Sequence, residues 1–109
     1  MTAEGTDSEQ RYRALAEELS VSSGVTPSKM FGMPTLKAGG KAFAGLFQDA
    51  MVFRLGGDAH SRALALPGAH IFDPSGMNRP MKQWVVVPPD HSGNWDGLAR
   101  EALAYLRGG

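Results

Sequence analysis

Arg54 is the residue of this 109-residue chain with the clearest chemical potential. It closes the run Met51-Val-Phe-Arg-Leu55, which reads as a strand. With a two-residue turn at 49–50, Gln48 falls opposite Met51 and Leu46 opposite Phe53. Gly45 then falls opposite Arg54 and offers no side chain to fill the space. Phe43 and Phe47 flank Gly45 on the same face. A guanidinium binds carboxylate or phosphate bidentately, and aromatic walls strengthen such contacts by lowering the local dielectric. Lys82 and Arg79, from a later strand and the loop before it, could close this small anion pocket. The competing reading is structural: Arg54 would be neutralised by a carboxylate of the chain itself, such as Asp73.

Other chemistries find less footing. Cysteine is absent, so disulfides, thiolate metal sites and cysteine nucleophiles are excluded. The serines have no Gly-x-Ser-x-Gly elbow around them. His60, His70 and His91 show no His-x-x-x-His spacing. His70 and Asp73 could meet, but two ligands are too few for a metal site. Gly39-Gly40 and Gly56-Gly57 lack the Gly-Lys-Ser/Thr context of a phosphate loop and read as turns. No catalytic residue, cofactor or metal is therefore expected, and the chain reads as non-enzymatic. The Met30-Phe-Gly-Met33 segment suggests a different use. Methionine adapts to partner surfaces, and a bent strand here could accept another chain or form a twofold homodimer. The alternative is that Met30, Phe31 and Met33 pack under the first helix.

Charge is balanced overall but unevenly distributed. Residues 1–28 carry −3, residues 29–87 carry +4, and residues 88–109 carry −1. A weak nucleic-acid binder would need Lys29, Lys37, Lys41, Arg62, Arg79 and Lys82 gathered on one open surface. A duplex binder usually shows a larger basic excess, so nucleic acid is not the expected partner. No apolar run approaches the roughly 20 residues of a membrane helix. The polar, acidic start is not the pattern of a signal peptide. A cytoplasmic protein is the expectation.

The elements that would position these groups follow from periodicity. Residues 1–7 read as a flexible tail and residues 8–107 as one domain. Thr6 and Glu9 have capping-box spacing. Tyr12, Leu15, Ala16 and Leu19 then form one apolar stripe of a helix of about three turns, which Gly24 and Pro27 end. Strand one is expected over Met30–Lys37, interrupted by Gly32 and Pro34 and so an edge or bulged strand. Strands two and three are expected over Lys41–Gln48 and Met51–Leu55. Their parity gathers Ala42, Ala44, Leu46, Met51, Phe53 and Leu55 on one apolar face. Asp58 would cap a short helix reaching Leu66. His70–Phe72 is a short strand, and Met81–Val87 a strand apolar on both parities, hence central. A helix capped by Ser92 or Asn94 carries Trp95, Leu98, Ala99, Ala102, Leu103 and Leu106. The order α-β-β-β-α-β-β-α, with tight turns, predicts an α+β fold: an antiparallel sheet with the N- and C-terminal helices packed on it.

Met30-Phe-Gly32, Gly40-Lys-Ala-Phe-Ala44, Asp49–Leu55, Phe72-Asp-Pro74, Arg79–Pro88 and the closing helix with Trp95, Leu98 and Ala102 carry a family likeness. In this order and spacing the chain resembles the TfoX N-terminal-domain (TfoX/Sxy) family over roughly residues 8–107. A weaker similarity is to the YjbR/MmcQ-like proteins, which share a helix–meander–helix layout and a tryptophan strand near the end. The resemblance implies a small bacterial α+β domain, a regulatory or protein-interaction module, and supplies no catalytic motif.

Overall fold

The computed structural model of the chain describes residues 7–30, 32–73 and 81–108, with the backbone alone at Met30. The tail and capping-box residues before Asp7 lie outside them. The first helix, α1, spans Asp7–Ser23 and is longer than its apolar stripe requires. Tyr12, Leu15 and Leu19 are buried, and Asp7 already belongs to the helix. Beyond Gly24, the Val25 amide donates to the Leu19 carbonyl at 3.4 Å and Val25 itself is buried.

One strand expected over Met30–Lys37 is two. β1 spans Thr26–Met30 and β2 spans Met33–Ala38, with Met30 opposite Met33. Gly32 has φ +76°, a left-handed conformation that lets the chain reverse where a continuous strand was expected. Pro27 had marked the segment before Met30 as a helix terminator. It is tolerated within β1 because β1 is an edge strand.

β3 (Lys41–Phe47), β4 (Ala50–Arg54), β5 (His70–Phe72) and β6 (Met81–Val87) complete the sheet. All pairs are antiparallel, in the order β1-β2-β3-β4-β6-β5. The fold is α+β, with one strand more than the periodicity gave. β6 is interior, as its apolar character on both parities required, and Trp84–Val87 are buried.

Helices α2 (Gly57–Leu64) and α3 (Trp95–Gly108) follow β4 and β6. Asp58 sits in the first turn of α2 rather than capping it; the cap position is Gly56, which makes no side-chain cap bond. A 3-10 segment, Pro89–Asn94, leads into α3. Trp95 Nε1 donates to the Val87 carbonyl at 3.3 Å, fastening the start of α3 to the end of β6. All three helices contribute to one core with Leu36, Phe43, Ala44, Leu46, Met51, Phe53, Leu55, Val85 and Val87. A second cluster, Met33, Val52, Phe72, Trp84 and Val86, occupies the other face of the sheet. Exposed ion pairs join α3 to the other helices: Arg62 of α2 with Glu101 at 2.7 Å, and Glu18 of α1 with Arg100, which also pairs with Asp96 within α3.

One polar atom is poorly served. The Tyr12 hydroxyl is buried without a hydrogen-bond partner, and burial pushes its pKa above the usual 10.0. An unsatisfied buried hydroxyl costs about 1–3 kcal/mol. Tyr12→Phe is therefore expected to raise stability by about 1 kcal/mol in urea titrations at pH 7. Because the folded state holds the phenol protonated, wild-type stability falls as pH rises past the unfolded value near 10. The advantage of Tyr12→Phe should then widen above that pH. A variant equal to or weaker than wild type would show that the hydroxyl is satisfied.

Candidate functional site

The register of the meander decides which predicted residues meet. The β3–β4 turn lies at Gln48-Asp49, not at 49–50, so Leu46 pairs with Met51 and Gly45 with Val52. The shift is two residues in pairing, so Ala44, Leu46, Met51, Phe53 and Leu55 keep their common face. Gly45 is thus not opposite Arg54. The space above it is filled by Met33: a Cβ at position 45 would lie 2.7 Å from Met33 Cε and 2.9 Å from the Pro34 carbonyl.

A β-bulge moves two further residues. Leu36 pairs with Ala44 but Lys37 with Ala42, leaving Phe43 as the extra residue of β3. Phe43 and Ala44 both enter the helix-covered core, and Phe43 is wholly buried there. Ala42 is turned to the other face. Phe43 is therefore no wall of an anion pocket. Phe47 is not one either. It pairs with Ala50, four residues and about 13 Å along β4 from Arg54, and packs edge-on against Phe72 at 5.0 Å.

The other sequence-predicted residues separate similarly. Met33 is buried in the second cluster rather than offered to a partner. Phe31 and Arg79 lie outside the described residues, as does the side chain of Met30. Each histidine is engaged by a backbone carbonyl: His60 Nε2 with Lys82 and His91 Nε2 with Pro67, both at 2.8 Å, and His70 Nδ1 with Gly68 at 3.2 Å. No group of three potential metal ligands occurs among the described residues. No helix among them is long and apolar enough to cross a membrane.

Arg54 and Lys82 do come together. Arg54 ends β4 opposite Trp84, and the Leu55 amide extends that ladder to the Gln83 carbonyl at 2.9 Å. Arg54 and Lys82 line an open hollow of about 520 Å³, with Lys41 from the start of β3 as a third cation. Ala42, Met81 and Trp84 form its apolar part. Among the described residues, no carboxylate lines it.

The contacts of Arg54 are neutral. Its Nε donates to Gln83 Oε1 at 3.2 Å, and its guanidinium carbon lies 5.9 Å from the centre of the Tyr105 ring. Gln83 Nε2 in turn donates to the Tyr105 hydroxyl at 3.0 Å. The ring can approach because position 56 is glycine; a Cβ there would collide with Tyr105. A cation–π contact at an exposed site contributes about 0.5–1 kcal/mol. These contacts hold the guanidinium in place, and among the described residues no carboxylate pairs with it. The expected ion pair with Asp73 is not the one formed.

Lys41, Gln83 and Tyr105 were not legible as site residues. Lys41 reads as the residue after a turn, and Gln83 and Tyr105 reach Arg54 only through tertiary pairing. No family model matches the chain, and neither a curated protein nor a solved structure does.

The filled space over Gly45 carries a direct consequence. Gly45→Ala should destabilise the fold by about 1–3 kcal/mol, because Met33 and the Pro34 carbonyl would have to move. Combining it with Met33→Ala should recover part of that loss in a double-mutant cycle. Strict additivity would mean that Met33 does not occupy the space.

Proposed function

We propose that this chain is a non-enzymatic, cytoplasmic binding domain that takes a small anion in the Arg54 hollow. The observation that carries this reading is an arginine fixed by a neutral amide and an aromatic ring, in a hollow holding two lysines and, among the described residues, no carboxylate. Two exposed cations of the helices show the contrast: Arg62 and Arg100 are matched by Glu101, Glu18 and Asp96, although Arg107 is held by the neutral Ser23 carbonyl. A volume of this size lies in the range of small-molecule sites. An arginine held in place spends less entropy on closing around a planar anion.

A second reading follows the TfoX-like resemblance: a regulatory module working through protein contacts. Its support lies elsewhere on the molecule. Val21 is 85% exposed, beside a largely apolar groove with Tyr12, Ala16 and Pro27. The groove lies on α1 and meets β1, an edge strand, at Pro27. The occupant favoured here is a second copy of the chain, since the groove carries both Arg13 and Glu17 and is self-complementary in charge across a twofold. Light scattering of wild type and Val21→Glu tests it: a dimer lost in the variant supports this reading, and a monomeric wild type removes it.

The anion reading is tested by thermal shift with inorganic phosphate and carboxylates at low salt. Ligand binding raises the midpoint by mass action. Gln83→Glu is the informative variant, because it places a carboxylate on Arg54 with almost no change of shape. It should keep or raise the unliganded midpoint while weakening anion binding at least tenfold. Arg54→Gln should abolish the response. If wild type and both variants respond alike, the hollow is not the site.

A further inference from the structure

We infer that the hollow is built for a ligand with two anionic groups joined by a short apolar frame; this rests on the anion-binding reading above. Charge is the first observation. Lys41, Arg54 and Lys82 face one hollow in which the described residues supply no carboxylate. A monoanion on Arg54 would leave two like charges uncompensated, whereas a dianion leaves one and so removes the repulsion between uncompensated cations.

Placement is the second. The cations come from three successive strands of the sheet, β3, β4 and β6, with Arg54 in the middle. Neighbouring strands lie about 4.8 Å apart, so the backbones carrying Lys41 and Lys82 are about 10 Å apart. A group held bidentately by Arg54 sits between them, and a second anionic group can reach either flank. The third observation is the material between the charges. Ala42, Met81 and Trp84 offer apolar surface there, suited to a carbon chain and not to a run of bridging phosphates. Gln83 and Tyr105 keep Arg54 oriented while the exposed lysines remain free to follow the ligand.

Adipate and hexanoate, which share a six-carbon chain and differ in one carboxylate, serve as probes. Titration calorimetry at low salt should give adipate at least tenfold tighter than hexanoate. The double variant Lys41→Gln/Lys82→Gln should bring adipate to the affinity of hexanoate, weakening adipate by a larger factor than it weakens hexanoate. Arg54→Gln should abolish both. Equal affinity for the two acids would overturn the two-anion inference while leaving the anion site standing. If neither acid nor inorganic phosphate binds, the site itself is wrong. A single-stranded oligonucleotide binding more tightly than adipate, with a steep salt dependence, would overturn the inference in favour of a phosphate-backbone surface.

Discussion

One extra residue in β3 sets the division of labour between the two faces of the sheet. Were β3 regular, Phe43 would follow Gly45 onto the face opposite the helices, and Ala42 would follow Ala44 beneath them. The bulge between the Leu36–Ala44 and Lys37–Ala42 pairs delivers Phe43 and Ala44 together into the helix-covered core. A fully buried phenylalanine contributes some 1.5–3 kcal/mol relative to exposure, so the bulge is held by the side chain it buries. Its other effect is local. Ala42, small and apolar, is left beside Lys41 where a bulky aromatic would have stood, and the hollow opens there.

Core and site are consequently coupled, and Trp84 belongs to both, as a member of the second cluster and a wall of the hollow. β4 and β6 supply Met51, Phe53, Leu55, Val85 and Val87 to the helix side on one parity. On the other they supply Val52, Trp84 and Val86 to the second cluster. Arg54 stands at the end of that ladder, where β4 gives way to Gly56 and α2. Packing fixes the strands rigidly, and the strand ends then place the cations. Tyr105 reaches Arg54 because α3 is docked through Trp95, Leu98, Ala99 and Ala102, all buried. Its ring is set at a definite point along the sheet, against a glycine that admits it.

The parts of this arrangement legible in sequence are those governed by local rules. Helical stripes at Tyr12–Leu19 and Trp95–Leu103 and the doubly apolar β6 follow from period and burial alone. The division of residues 44–55 into faces survived a displaced turn, because any even loop preserves parity. What escaped reading depended on interactions distant in sequence. The β1–β2 hairpin is masked by Pro27, which the edge strand β1 tolerates, and by Pro34, the second residue of β2. The bulge at Phe43 leaves no local mark, since residues 42–47 carry no polar side chain on either parity to reveal a slip. Arg54 stands out in the sequence, yet its expected neighbours rest on a register two residues out; Lys41 is brought to its side of the sheet by β3, Gln83 by the β4–β6 ladder and Tyr105 by α3.

Stability gives little reason for a neutral tether on Arg54. Exposed ion pairs contribute about 0–1 kcal/mol, so a glutamate at position 83 would cost the fold nothing and would satisfy the guanidinium better than an amide does. The helices of this same protein use such pairs: Arg62 meets Glu101, and Arg100 meets Glu18 and Asp96. At Arg54 the acceptor is Gln83 and the second neighbour is an aromatic ring. Both orient the cation, and neither cancels it. An amide in place of a carboxylate keeps the charge available to an external anion, and the two lysines beside it enlarge the same field. The proposed anion site requires such an arrangement, a positioned guanidinium in a hollow that no carboxylate among the described residues lines.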